Sequence, residues 1–390
     1  MRALPLGTTL ALVITLAPAD PPSWESVVQT HLQQSSSREG LERFLAVYEA
    51  LGEPFTERLQ PHSDLLGAIQ REGWKGNTLA LEPLLDELQP VFAGAHTLAA
   101  LDSVDFPAAT DFSTPVPNFL RLQLLFKAMA ADARRLEAQG RLDEALARAL
   151  DVTAMSSLLQ DTDVTMIQHL IGVAGMSIGL RTAEAILPAP GLSEAALRDA
   201  QARLMRLDAR GPRMADALQM ESECMIRGMR QLRDNPAALA ETLSVPDHQA
   251  DDVRAALADF ARFEAEHARV WDQVIALARA PYWEQAEGPA PEEIAQQSTS
   301  PLIRVAMPNF LEAGVRETVA RARLRLCLAV IALRLGEPVT EIQDPFTGLP
   351  LGLSMETVRS LGPDREDQHG ALLYDPTNGT LSPGDVVAAR

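Results

Sequence analysis

The segment Gly175-Met-Ser177-Ile-Gly179 has the Gly-x-Ser-x-Gly pattern of the nucleophile elbow in serine hydrolases. In an elbow, a strand precedes the serine and a helix follows it, so that a strained turn exposes the hydroxyl group. Acid and histidine candidates follow the serine in the required chain order: Asp247 with His267, or Asp364 with His369. One interpretation of the segment is therefore acyl transfer with Ser177 as the nucleophile.

The same segment also fits the interior of a helix. At 100° per residue, small and apolar residues fall in one stripe within about 60° of Gly172: Gly175, Gly179, Ala183 and Ile186. Ser177, Arg181 and Glu184 fall on the opposite face. Each interior glycine costs about 1 kcal/mol relative to alanine, so the stripe predicts a closely packed neighbouring helix. Because no buried-strand pattern precedes Gly336, we expect a helix over residues 162–187 and no catalytic residue.

A second set of candidate residues lies on two acidic turns near the C terminus. The turns read Asp344-Pro-Phe-Thr-Gly-Leu-Pro350 and Leu361-Gly-Pro-Asp364-Arg-Glu366-Asp367. Calcium takes about six to eight oxygen ligands from acidic side chains and turn carbonyls. The candidate metal ligands are Asp344, Asp364, Glu366 and Asp367, with calcium as the only cofactor indicated. The alternative is a set of acidic surface turns that are stabilised by their own hydrogen bonds.

The remaining candidate residues are histidines and cysteines on predicted helices. Glu264 and His267 have the Glu-x-x-His spacing of one quarter of a di-iron carboxylate site. Since no second such pair lies on a predicted helix, we expect a solvated helix face there. His169 is expected to be a hydrogen-bonded interior residue. Cys224 and Cys327 either form a disulfide in an oxidising compartment or stay apart as buried thiols.

The first 19 residues match a secretory signal peptide. Arg2 precedes an uncharged apolar run, and Ala17-Pro-Ala19 provides a cleavage site with small residues. The run is shorter than the roughly 20 apolar residues of a membrane-spanning helix. We therefore expect a periplasmic or secreted chain that is cleaved after Ala19 and has no transmembrane span. An uncleaved N-terminal membrane anchor is the alternative.

Composition narrows the classes of partner. The chain of 390 residues has a formal net charge of −19 at pH 7, whereas nucleic-acid binding requires a concentrated basic surface. Hydrophobic residues make up 46% of the chain, which is sufficient for a large core. We expect a protein or peptide partner and no nucleic acid.

Helical periodicity runs from about Ser23 to Leu335 and predicts the elements that hold these residues. An apolar stripe with helical spacing starts at Phe119 and ends before Gly140, and a second helix begins at Leu142. This hairpin resembles the middle of a tetratricopeptide repeat, although no copy occurs 34 residues before or after it. Further helices are expected over 193–207, 212–232, 247–280 and 309–335, with a loop over 281–301.

The predicted architecture is mainly α, with antiparallel helical hairpins that form a bundle or an irregular solenoid. We divide the chain into a signal peptide (1–19), an N-terminal helical region (20–116), a central helical domain (117–335) and a small β- and turn-rich cap (336–390). On the last long helix, Glu317 and Arg321 have the i,i+4 spacing of an ion pair. In the cap, Asn378-Gly379 is typical of a hairpin turn.

Two resemblances follow from these motifs. Asp344-Pro-Phe-Thr-Gly-Leu-Pro-Leu351, followed by Ser360-Leu-Gly-Pro-Asp364, resembles the C-terminal segment of the major pseudopilin of type II secretion, a region that binds calcium. The order of hairpin, Met166-Ile-Gln-His-Leu-Ile-Gly-Val173, Met220-Glu-Ser-Glu223 and this tail resembles an uncharacterised exported α-helical family of planctomycete-like bacteria. That family usually has Asp-Asp-Gly-Gly in place of Asp367-Gln-His-Gly370. The resemblances imply an architecture and a compartment rather than a reaction.

The sequence as a whole favours a non-enzymatic envelope protein that serves as a helical scaffold or protein-binding module. The first alternative is a serine hydrolase that uses Ser177 between Gly175 and Gly179. The second alternative is a calcium-stabilised structural module.

Overall fold

The fold is mainly α-helical, as the periodicity predicts. The computed structural model describes residues 23–35, 38–109, 114–161, 164–234, 254–300, 303–304 and 310–390. It is 67% helical and ends in a small three-stranded antiparallel sheet. Within these ranges, no helix is both long and apolar enough to cross a membrane. The predicted signal peptide, residues 1–19, lies outside the described residues.

Six helices form the N-terminal region. Their bounds are α1 (Trp24–Gln34), α2 (Arg38–Ala50), α3 (Glu53–Leu59), α4 (Ser63–Glu72), α5 (Glu82–Glu87) and α6 (Gln89–Leu98). Phe44 packs edge-on against Phe106 at a centroid distance of 4.9 Å. The apolar core of this region continues without a break into the next two helices of the chain, where it includes Leu125 and Leu158. The N-terminal region and the central helices therefore share buried surface.

The central hairpin consists of α7 (Phe119–Ala138) and α8 (Leu142–Leu158). Asn118 caps α7, because its side-chain oxygen accepts a hydrogen bond from the backbone N–H of Arg121 at 3.3 Å. Gly140 ends α7 with a φ of 77°, a conformation that favours glycine. The two helices are antiparallel neighbours, which confirms the predicted hairpin.

Helix α9 (Met166–Ile186) is continuous and lies at the centre of the fold. Its glycines face α8 so closely that side chains there would collide with it. A Cβ atom on Gly175 would lie 2.2 Å from Ser156 Oγ, and one on Gly179 would lie 2.7 Å from the backbone nitrogen of Thr153. The predicted inward glycine stripe is confirmed over the described part of residues 162–187.

The opposite, polar face of α9 is also covered. The last long helix of the chain, α15 (Phe310–Leu335), packs on it and places Arg323 against Glu184. The Nη1 atom of Arg323 donates to Glu184 Oε2 at 2.5 Å. Helix α9 is thus enclosed on both faces.

The helices between α9 and the cap complete the body. They are α10 (Glu194–Ala209), α11 (Met214–Asp234), α12 (Phe260–Arg279), α13 (Tyr282–Gln285) and α14 (Pro291–Gln296). The predicted helix over 247–280 is only partly described: residues 254–258 are helical, and α12 starts anew after Asp259, which caps it. The prediction of a loop over 281–301 is wrong where α13 and α14 form. Pro291 occupies the first position of α14, which favours proline, and Pro281 is the residue that precedes α13.

The cap is a sheet in the order β1–β2–β3, with antiparallel pairing throughout. Its strands are β1 (Gly352–Leu353), β2 (Thr357–Ser360) and β3 (Val386–Ala389). Val358 pairs with Ala388, and both are buried in one apolar cluster with residues of α9, α10 and α15. The predicted hairpin at Asn378-Gly379 is wrong, since residues 376–378 form a 3₁₀ turn stabilised by Asp375. The observed hairpin joins β1 to β2.

The cysteines lie in different helices, Cys224 in α11 and Cys327 in α15, and both are buried thiols. Cys224 Sγ is 3.6 Å from the carbonyl oxygen of Ala109. Burial raises the pKa of the Cys327 thiol well above its ordinary value. Of the two alternatives that the sequence left open, the structure contains the separate thiols.

Candidate functional site

Ser177 lies in the middle of α9 and is half-buried. A nucleophile elbow requires a strand immediately before the serine, whereas the residues before Ser177 belong to the same helix. The structure therefore lacks the strand–turn–helix on which the hydrolase interpretation depended.

The four candidate metal ligands do not form one site. Asp344 is buried, and its carboxylate accepts hydrogen bonds from Ser360 Oγ at 2.8 Å and from the N–H of Leu361 at 2.8 Å. Asp364 accepts from the N–H groups of two other cap residues. Across the described ranges, no three His, Cys, Asp or Glu side chains are grouped closely enough to hold a metal ion.

The last two candidate ligands are exposed. Asp367 accepts hydrogen bonds from two guanidinium nitrogens of Arg359, Nε at 2.8 Å and Nη2 at 3.0 Å, and this pairing lowers the Asp367 pKa to about 2. Glu366 lies on the exposed turn beside it. Hydrogen bonds and ion pairs to these carboxylates therefore stabilise the turns of the cap. Calcium binding stays a prediction.

Two histidines are buried in this structure. His267 is 3% exposed, lies between Phe263 and Trp271 on α12, and has an Nε2 atom without a hydrogen-bond partner in the described residues. The expectation of a solvated face is therefore wrong at His267, although Glu264 is 40% exposed and pairs with Arg230. His169 is fully buried, and neither of its ring nitrogens has a hydrogen-bond partner there. The expected interior position is confirmed, but the expected hydrogen bond is wrong.

Burial lowers the pKa of His267 to about 4 and also lowers that of His169. Below about pH 6.5 the unfolded histidines bind protons that the folded ones exclude, so stability is complete above that pH and decreases toward pH 4. Between pH 7 and pH 4.5 we expect His267 alone to contribute a loss of roughly 2 kcal/mol. Urea unfolding at pH 7 and pH 4.5 measures it. The substitution His267→Phe should reduce the loss.

An open cleft of about 440 Å³, here called the first cleft, lies where the ends of α8 and α10 meet α15. Its lining includes four arginines, Arg206, Arg210, Arg213 and Arg321. Its acidic lining residues are Asp102, Asp161 and Glu317. Three of the arginines come from the last turn of α10 and the short connection to α11, so the helix ends place them side by side.

The arginines of the first cleft are held to different degrees. The Nη1 atom of Arg210 donates to Ser157 Oγ at 2.8 Å, and its Nη2 atom donates to the carbonyl oxygen of Leu101 at 3.2 Å. Arg321 is fixed by Asp208, at 3.0 Å. Arg206 is exposed and has no hydrogen bond or ion pair in the described part of the chain. Its guanidinium is therefore available to a ligand.

Glu317 lies at the back of the first cleft and caps the start of α11. Its carboxylate accepts hydrogen bonds from the N–H groups of Arg213 at 2.7 Å and Met214 at 3.2 Å. A carboxylate at a helix N-terminus is stabilised by these donors and by the helix dipole. His169 Nε2 lies 3.7 Å behind it. The predicted pair of Glu317 with Arg321 is wrong, because each side chain has another partner.

A second cleft of about 330 Å³ adjoins the first, and Glu317 and Arg321 line both. It lies between the start of α11, the end of α12, α13, α15 and the cap. Three arginines line the second cleft, Arg279, Arg321 and Arg325, and Glu317 is its only acidic lining residue among those described. The two clefts together place six guanidinium groups on a chain with a net charge of −19. This arrangement can bind carboxylate or phosphate groups through charge-assisted hydrogen bonds.

Sequence reasoning missed these clefts. In the sequence, Arg206, Arg210 and Arg213 are separated by four and then by three positions. The same spacing is typical of an ordinary solvated helix end. The partner residues on α15 are more than 100 positions away in the chain. Only the packing of α15 against α10 brings them together.

The comparisons with known proteins supply no relative. Neither the models of protein families, nor the curated proteins, nor the solved structures contain a match to this chain. The resemblance to exported planctomycete-like proteins and to the pseudopilin tail thus stays a prediction.

Proposed function

We propose that this chain is a non-enzymatic binding module of the cell envelope and that it binds an acidic segment of a protein or peptide partner in the first cleft. The observation that supports this proposal is the concentration of arginines in two adjoining clefts of an otherwise acidic protein. The envelope location follows from the signal-peptide pattern of residues 1–19 and belongs to the same proposal.

The chemistry of the lining favours an anionic ligand. Guanidinium groups bind carboxylates in a planar, two-pronged geometry and stay charged even when partly buried. Burial lowers the pKa of Arg210 and Arg321, with nearby carboxylates opposing the effect, and such desolvated cations gain most from a new anionic partner. Against the four arginines of the first cleft stand three carboxylates, Asp102, Asp161 and Glu317, so the lining keeps one excess positive charge.

Titration of a fluorescent Glu-rich pentapeptide and its Lys-rich counterpart tests the proposal. We expect the acidic peptide to bind and the basic peptide not to bind, with an affinity that falls as salt is added. The variant Arg206→Glu should weaken binding by roughly tenfold at low salt, because it reverses a charge at the cleft entrance.

Arg269→Glu is the matched control. Arg269 is exposed on α12, lines neither cleft, and its replacement changes the net charge equally. Equal affinities of the Arg206→Glu and Arg269→Glu variants would show that the peptide does not bind in the first cleft.

A further inference from the structure

The second cleft differs from the first in its walls. Apolar and aromatic side chains from α12 and α13 form much of its lining: Val274, Leu277, Tyr282 and Trp283. Tyr282 is fixed by a hydrogen bond from its hydroxyl to the carbonyl oxygen of Pro363 at 3.1 Å. Trp283 packs under Gly348 of the cap, where a Cβ atom would lie 2.9 Å from the indole ring. These walls are rigid before any ligand arrives.

Two of the three guanidinium groups of the second cleft, those of Arg325 and Arg321, are also held in place. Arg325 donates to the carbonyl oxygen of Gln343 at 2.9 Å and to Asp208 at 3.1 Å. Arg321 binds the same Asp208 carboxylate. Arg279, at the end of α12, is exposed and has no hydrogen bond or ion pair in the described ranges. Guanidinium groups beside apolar walls bind aromatic rings through stacking and cation–π attraction.

The two clefts are close enough for one short peptide. Their common wall consists of Glu317 and Arg321, which are one helical turn apart on α15. Because these two residues line both clefts, the clefts adjoin directly at this turn of α15. A peptide with carboxylates in the first cleft therefore reaches the second cleft with a neighbouring side chain.

We infer that the second cleft takes an aromatic side chain of the same acidic peptide, so that the ligand class is an acidic segment with an aromatic residue beside its carboxylates. This inference rests on the proposed function. It adds a specificity subsite, since the first cleft recognises charge alone whereas the second distinguishes between side chains. The occupant is a peptide of a partner protein, because a peptide chain places several carboxylates in the first cleft and an aromatic side chain in the adjoining second cleft.

Gly314 gives a way to close the second cleft without disturbing the fold. It lies in α15 and lines the cleft, and the nearest atom to an added Cβ would be Gln285 Oε1 at 3.8 Å. The substitution Gly314→Leu therefore places an apolar side chain in the cleft, and leucine favours helix more than glycine does.

The experiment compares acetyl-Glu-Glu-Phe-Glu-Glu-amide with the peptides that carry Ala or Leu in place of Phe. For the wild-type chain we expect the Phe peptide to bind at least tenfold more tightly than the Ala peptide, with the Leu peptide between them. Gly314→Leu should abolish the preference for Phe and leave the affinity for the Ala peptide unchanged. Arg206→Glu should weaken all three peptides by the same factor.

The outcomes separate the inference from the proposed function. If the Phe and Ala peptides bind the wild-type chain equally, the aromatic subsite is wrong while acidic binding stands. If the Leu peptide binds as tightly as the Phe peptide, the second cleft is a general apolar pocket and the aromatic assignment is overturned. If none of the three peptides binds, both proposals fail.

Discussion

Replacement of Gly175 by leucine is expected to destabilise the fold by about 3 kcal/mol or more. The added Cβ would lie 2.2 Å from Ser156 Oγ and 2.7 Å from the ring of Phe126. Ser156 is completely buried and donates its hydroxyl to the carbonyl oxygen of Val152 at 2.7 Å, so it cannot move without losing a buried hydrogen bond. Urea unfolding followed by circular dichroism measures the loss.

Gly314→Leu is the matched control for this prediction, because it makes the same substitution inside another helix. There an added Cβ would make only an ordinary van der Waals contact, with Gln285 Oε1 at 3.8 Å. We expect unchanged or increased stability from the higher helix propensity of leucine, worth up to about 1 kcal/mol. If both variants lost the same free energy of unfolding, close packing of α8 on the glycine stripe would not be the cause.

Replacement of Arg323 by methionine is expected to cost about 3–5 kcal/mol at pH 7, because it leaves Glu184 as an unpaired buried charge. One Glu184 oxygen binds Arg323, and the other has no hydrogen-bond partner in the described residues. Burial raises the pKa of Glu184, and Arg323 opposes that effect. In the variant the folded-state pKa rises further, so we expect the loss to shrink as the pH falls and the carboxyl becomes neutral.

The double variant Glu184→Met with Arg323→Met tests the physical reason. When both partners are replaced by apolar side chains of similar size, most of the stability should return. A coupling free energy near zero across the four proteins of this double-mutant cycle would mean that the pair is not buried as described.

The sequence was sufficient to predict the helix that both experiments probe. The glycines recur at helical spacing, and no strand pattern precedes them, so the local rules agree with the tertiary packing. The polar face of α9 was equally visible as Arg181 and Glu184. The packing of α15 on this polar face could not be predicted, because a single sequence does not identify which of several long helices packs on a given face.

The clefts were beyond sequence analysis for a related reason. The i,i+4 rule assigned Arg321 to Glu317, and that spacing is satisfied in α15. In the structure, Arg321 pairs with Asp208, and the Glu317 carboxylate accepts a hydrogen bond from the backbone N–H of Arg213 at the start of α11. A pairwise rule within one helix cannot anticipate partners from other helices that are better placed. In the cap, likewise, Asp344 has the residue type of a calcium ligand, but its carboxylate is used by buried hydroxyl and amide donors.

The shared core of cap and helices has a consequence for the order of events during synthesis. Val358, Val386 and Ala388 are buried in the same cluster as Val319, Ala322 and Leu326 of α15. Helix α15 is thus left with an apolar side in water until the final strand has emerged. The long helices therefore cannot bury that side before residues 386–389 have been synthesised.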